Sequence, residues 1–287
     1  MHFGSAARRG LGRSGGICII ARAKQRHRMY LPDSQTEIDV FLINLDRATE
    51  RLALMSTQLD AAAIPFVRVP AVDGASLRFP MPEFSAASYK YLHGRRIVPA
   101  EVGCYLSHVE SARRLLAGTA EHALIFEDDA ELPADLTELL GAAIRAGADW
   151  DILRLSSVND GPKLRFAQIT PTRHLAVALF REKGAGAYVI NRRAARWITG
   201  RLVPMRLAWD IAFDLEYLAG LRAVFVDPLP VNQQTGLATQ IQHGVKASKL
   251  PRWRYLTVLP YRLWLELSRL VLRGGRYLGL RLRRRRG

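Results

Sequence analysis

The chain has 287 residues, 49% of them hydrophobic and 8% aromatic, enough to bury one large core or two modest ones. Its two cysteines, Cys18 and Cys104, stand in unrelated contexts, which argues against a disulfide framework or a zinc site and makes a reducing compartment the default. The net charge of +16 averages unlike parts, because residues 1–29 contribute +7 and 246–287 contribute +12, leaving −3 for 30–245. The expected organisation is a disordered basic N-terminal extension (1–29), a catalytic domain (30–245) and a basic amphipathic, membrane-associating tail (246–287).

The first segment is rich in Gly, Arg and Ser, and its apolar run "ICIIA" is shorter than a signal peptide requires. Because Met29 directly precedes the first globular sequence, residues 1–28 read as an upstream extension of the true start, with a transit peptide as the alternative. Apolar, β-branched runs at 38–43, 65–69, 122–126, 151–155, 186–190 and 223–226 predict strands. Helical patterns occupy 48–62, 101–117, 134–146, 192–200 and 208–219. That alternation predicts an α/β fold with a mainly parallel central sheet. Residues 75–98, with Pro80, Pro82 and Gly94, read as a loop insertion.

The C-terminal stretch mixes Trp, Tyr and Leu with Arg and ends in an arginine cluster. Its apolar runs are too short to span a bilayer, but the pattern suits a segment lying among lipid headgroups. An anionic membrane surface is the expected partner rather than nucleic acid, because phosphate contact alone needs charge more than Leu and Trp.

In "ALIFEDDAEL" (123–132) three acids, Glu127, Asp128 and Asp129, follow directly on a strand. Open α/β sheets bind ligands beyond the carboxyl ends of their strands. Three adjacent carboxylates repel one another unless a cation or several donors compensate, and Mg²⁺ or Mn²⁺ would be the economical compensation beside a phosphorylated donor. A solvated acidic turn opening a helix is the plainer alternative.

"IDVFLINLDRATERLALMSTQLDAAAIPFVRVPAVDG" (38–74), "VPAEVGCYLSH" (98–108), "ALIFEDDAEL" (123–132), "GAGAYVINRRAA" (184–195) and "VFVDPLPVNQ" (224–233) together resemble glycosyltransferase family 25, in order and spacing, over about residues 38–235. The family contains lipopolysaccharide β-galactosyltransferases and collagen galactosyltransferases. The resemblance implies a GT-A type fold, a UDP-sugar donor such as UDP-galactose, Mn²⁺ or Mg²⁺, inversion at the anomeric carbon and a glycan or glycolipid acceptor. With the cysteine usage and the basic tail, the expected location is the cytoplasm, peripheral on the inner face of a membrane. The segment "MRLAWDIAFD" departs from the family's shorter Pro-x-Asp pattern.

On this reading Glu127 and Asp129 bind metal, Asp128 contacts the donor, and Asn44, Arg47 and Arg51 hold the diphosphate or frame the nucleotide pocket. Asp73 and Gly74 either form a simple Asp-Gly turn or contact the base or ribose. Gly184 and Gly186 admit a sugar closely or make a turn. Ser107 and His108 are expected on the helix side away from Val102 and Val109, with His108 touching donor or acceptor; Cys104 and Tyr188 are expected in the core. Asp210, beside Trp209, is the candidate base because desolvation by an indole raises a carboxyl pKa. In "QIQHGVKASKLPRW" (240–253), His243 is a candidate late metal ligand, with Gly244, Lys246 and Lys249 beside the phosphates. A nucleic-acid- or membrane-binding protein without catalysis, and a metal-dependent nucleotidyltransferase, are the competing functions.

Overall fold

The computed structural model describes residues 28–31, 34–146, 150–159, 161–233 and 248–284. Strand β2 (Thr36–Asn44) shows how the layers arise, because its side chains alternate between two cores. Ile38, Val40 and Leu42 face one core, and Phe41 and Ile43 face the other. Strand β4 (His122–Glu127) divides in the same way, with Leu124 and Phe126 opposite Ala123 and Ile125.

β1 (Arg28–Leu31) pairs antiparallel with β2, which pairs in parallel with both β3 (Val67–Pro70) and β4. A two-residue strand β5 (Ala130–Glu131) follows β4. Beyond β4 the sheet continues through β9 (Ala187–Asn191), β6 (Ile152–Arg154), β10 (Ala223–Asp227), β8 (His174–Ala178) and β7 (Lys163–Gln168). In this nine-stranded sheet, β1, β8 and β9 run against the other six, so the sheet is mainly parallel in direction. The reversal at β9 brings the residues just before it to the edge where β2, β4, β6 and β10 end. A short β11 (Asn232–Gln233) pairs with β5 at that edge.

Helices α1 (Thr49–Ala61) and α3 (Leu136–Arg145) cover one face. The other is covered by α2 (Pro99–Ala117), α4 (Arg192–Arg201) and a short turn, Trp209–Ala212, that tightens into a 3-10 stretch, Phe213–Ala219. Pro99 opens α2, where a missing N–H costs nothing, and the Asn191 side chain caps α4 by accepting from Ala194 N at 2.9 Å.

Four regions differ from the sequence expectation. Arg28 and Met29 belong to β1, with Met29 buried and Arg28 paired with Asp39 at 3.1 Å, so these two residues of the expected extension are part of the folded domain. Residues 1–27 and His243 lie outside the described residues. The β7–β8 hairpin is an addition to the expected strands. The supposed loop 75–98 contains short helical turns, Ala86–Ser88 and Tyr89–His93, seated by the tilted, packed rings of Phe84, Tyr89 and His93. The tail forms one long helix, α5 (Tyr255–Arg284), docked on the domain.

Candidate active site

β2 ends at Asn44 and β4 at Glu127, adjacent strands whose parallel register sets Ile43 opposite Glu127. The acid triplet therefore emerges beside the first turn after β2, and the three carboxylates meet different surroundings. Asp128 accepts from Asn44 Nδ2 at 2.7 Å and from Arg51 at 2.7 Å. Arg68 on β3 supports this arrangement by donating to the Asn44 side-chain oxygen at 3.0 Å and to Asp46 at 2.6 Å. Asp128 is thus satisfied by protein donors.

Glu127 lies 3.0 Å from His108 Nε2, and the other ring nitrogen of His108 lies 2.9 Å from the Tyr188 hydroxyl. The imidazole also stacks flat on Trp209, centroids 4.6 Å apart at an interplanar angle of 4°. Hydrogen bonds on both nitrogens and an indole on one face hold this ring in a single orientation. His108 and Ser107 are both buried, as are Val102 and Val109, because α2 is enclosed between the sheet and the helical elements of its own face. The side of α2 away from Val102 and Val109, where the sequence reading put Ser107 and His108, is thus enclosed as well. Ser107 accepts from Val72 N at 2.8 Å, tying α2 to the turn after β3.

Asp129 differs from both other acids, since its buried Oδ1 makes no hydrogen bond. Burial pushes its carboxyl up to about 7, with the charges of Glu127 and Asp128 adding to the effect and Arg51 opposing it. An orphaned buried carboxylate oxygen beside the half-buried Glu127 is the donor set that a hard divalent cation takes, so Mg²⁺ or Mn²⁺ fits Asp129 and Glu127. Cys104, His108 and Glu127 also place ligand atoms within 4.8 Å of one another. That set suits a soft metal poorly, because both His108 nitrogens are engaged and burial together with nearby acids pushes the Cys104 thiol up, away from thiolate.

Asp210 sits at the start of the Trp209–Ala212 turn, and burial raises its carboxyl while Arg181, Lys183 and Arg95 pull it down. Its charge reaches the Cys104 thiol, as do those of Glu127, Glu101 and Asp129, and with them it raises the thiol's pKa. Glu101 is a partly buried acid of α2 that the sequence reading did not single out. It accepts from Arg95 at 2.9 Å and from the Tyr89 hydroxyl, and burial raises its carboxyl. Its spacing from Cys104 and His108, three and seven residues along one helix, was the available signal.

The remaining candidates serve the frame. Arg47 pairs with Asp73, and Asp73 caps the next turn by accepting from Ala75 N at 3.0 Å, which, as the main cause, lowers its pKa. A Cβ on Gly74 would fall 2.3 Å from the Pro99 carbonyl oxygen, so this glycine is required by the close approach of α2 rather than open to a ligand. Gly186 accepts from Glu127 N at 2.8 Å, and a Cβ there would meet only the tip of Gln233. Tyr188 is core, as expected.

The chain is 26% identical over 227 residues to procollagen galactosyltransferase 1-B of Xenopus laevis, an overlap covering 69% of this chain and 36% of that protein. Procollagen galactosyltransferase 1-A of the same species is 30% identical over 136 residues, covering 44% and 22%. The chain therefore spans about a third or less of the length of these relatives. Among solved structures, a glycosyltransferase involved in glycosylating the major capsid of PBCV-1 overlaps 69% of this chain and 93% of its own, with 9% identity and a TM-score of 0.38. A likeness that loose adds nothing to the fold described above. The family model of glycosyltransferase family 25 (LPS biosynthesis protein) matches residues 37–213, most of the domain and all of the acid triplet, and the chain belongs to that family.

Proposed function

We propose that the protein is an inverting hexosyltransferase that takes galactose from UDP-galactose and adds it to a hydroxyl of a glycan acceptor of the lipopolysaccharide class. The observation that carries this reading is the Asp129 carboxylate just past the carboxyl end of β4 and next to Glu127, with one buried oxygen that makes no hydrogen bond. A divalent cation bound there would supply charge to the donor's diphosphate.

The residues divide the rest of the task. Asn44 and Arg51 hold Asp128, and Arg68, bonded to Asn44 and Asp46, keeps the first turn after β2 against the triplet. His108, clamped by Tyr188 and Trp209, fixes the Glu127 carboxylate. Asp210 accepts the proton of the attacking acceptor hydroxyl as the new bond forms at the anomeric carbon and the bond to the diphosphate breaks on the opposite side. Its raised pKa makes it a better base than a solvated carboxylate.

The test is UDP release from UDP-galactose and other UDP-sugars, with and without EDTA, by wild type and by Asp129→Ala. The expected result is release with one preferred donor that EDTA abolishes and Mn²⁺ restores, and a loss of about 10²-fold or more in the variant. Release indifferent to both EDTA and the substitution would overturn the assignment.

A further inference from the structure

The 30-residue helix α5 is held on the domain by its inner face. Val258 and Leu265 are buried, and the Tyr217 hydroxyl donates to the Leu265 carbonyl at 3.0 Å. Arg269 pairs with Asp214 at 2.9 Å, while Arg273 pairs with Asp214 at 2.9 Å and Glu216 at 2.7 Å, all four side chains being almost wholly enclosed. Rotating the helix would strand those buried charges, so its orientation is fixed.

Its outer face is apolar. Leu256, Leu259, Leu263, Leu267, Val271 and Leu278 follow one another at intervals of three, four or seven residues and form one stripe over about six turns. Leu256 is 79% exposed, Val271 71% and Leu263 61%, and exposed apolar side chains aligned in this way mark an interaction surface. At the helix start, Trp253 stands 6.2 Å from Tyr91, and the Lys90 ammonium lies 5.6 Å from the Trp253 ring centroid. Arg252 and Arg254 stand just before the helix and Arg281 near its end, Arg283 to Arg286 form a run before Gly287, and Glu266 is already paired with Arg269. Among the described residues no helix is long and apolar enough to cross a membrane.

We propose that this stripe lies in the plane of an anionic lipid surface, with its leucines at the headgroup–acyl boundary and the Lys90–Tyr91–Trp253 patch and flanking arginines among the headgroups. A second copy of the chain suits the stripe less well, because a two-fold contact would bring arginine-rich flanks together, whereas anionic lipid neutralises them. The inference does not depend on the transferase reading.

The test is flotation of the full chain with vesicles of phosphatidylcholine alone and of phosphatidylcholine mixed with phosphatidylglycerol. Wild type should float with the mixed vesicles, much less with phosphatidylcholine alone, and less again in high salt. Leu263→Glu combined with Leu267→Glu should reduce flotation tenfold or more while leaving the circular dichroism and melting temperature unchanged, since neither residue faces the domain. If that variant misfolds, quenching of wild-type tryptophan fluorescence by brominated lipid, reduced in Trp264→Phe because that ring is 51% exposed next to Leu263, reads the same contact. Equal flotation of wild type and variant, or no quenching, overturns the proposal. So does a wild-type dimer that ignores vesicles and that the double substitution converts to monomer, which would assign the stripe to a second copy.

Discussion

Arg51 donates to Asp128 at 2.7 Å, while the neighbouring Asp129 keeps a buried oxygen with no donor at all. Two adjacent acids are therefore opposite in their effect on the apo fold. Asp128→Asn should weaken a charge-assisted hydrogen bond in a mostly buried pair and destabilise the protein by about 1–3 kcal/mol. Asp129→Asn should raise the stability of the metal-free protein by about 1–3 kcal/mol above pH 8, because it removes an uncompensated buried charge, and should lower turnover by about 10²-fold. Chemical denaturation in EDTA measures both signs. Equal destabilisation by the two substitutions would refute this division of roles.

His108 acts through Glu127. Tyr188→Phe removes one of its two anchors and leaves a buried ring nitrogen unpartnered, at a cost of about 1–3 kcal/mol. If His108 positions the acid that binds the cation, this variant should need a higher Mn²⁺ concentration for half-maximal activity, with a smaller change in donor KM. A purely structural role for the pair predicts lost stability with an unchanged metal titration.

β2 and β4 are legible in the sequence because both of their faces are buried, so nearly every residue is apolar. The β7–β8 hairpin is not, because in β7 the polar residues Lys163, Arg165 and Gln168 interrupt the apolar ones at the sheet's edge. The triplet announces itself by three adjacent charges. Its division of labour does not, since Asn44 and Arg51 reach Asp128 from far along the chain, and Arg68 supports Asn44 from another strand. Arg269 and Arg273 read as membrane-facing cations in a basic tail until folding sets Asp214 and Glu216 against them. Charge counted along a sequence says nothing of the side from which its partner arrives.

Asp210 sets the pH dependence of transfer if it takes the acceptor's proton. A base must be deprotonated to act, and burial holds this carboxyl above the usual range. Turnover should therefore rise with pH on the acidic side of the profile, through a midpoint above that of an ordinary aspartate. Asp210→Asn should lower turnover by about 10²-fold or more and remove that limb. A variant that keeps the acidic limb at reduced height would move the base elsewhere, with Glu101 the first residue to examine.

His93 gives the fold an acid sensitivity independent of catalysis. The ring is 4% exposed, packs 4.8 Å from Tyr89, and finds no partner for either nitrogen. Burial, reinforced by the charges of Arg95, Arg262 and Arg181, lowers its pKa from 6.5 to about 3. Between those values the unfolded chain binds a proton that the folded chain refuses, so stability present above pH 6.5 is lost progressively as pH falls toward 3. One such proton changes stability by at most about 1.4 kcal/mol per pH unit. His93→Leu keeps the apolar packing and removes the titration. Between pH 6 and pH 4.5 the wild type should lose about 2 kcal/mol more than the variant in urea denaturation, both sharing whatever background the carboxylates contribute. Parallel stability curves for the two proteins across that interval would show that His93 is protonated in the fold and has a partner.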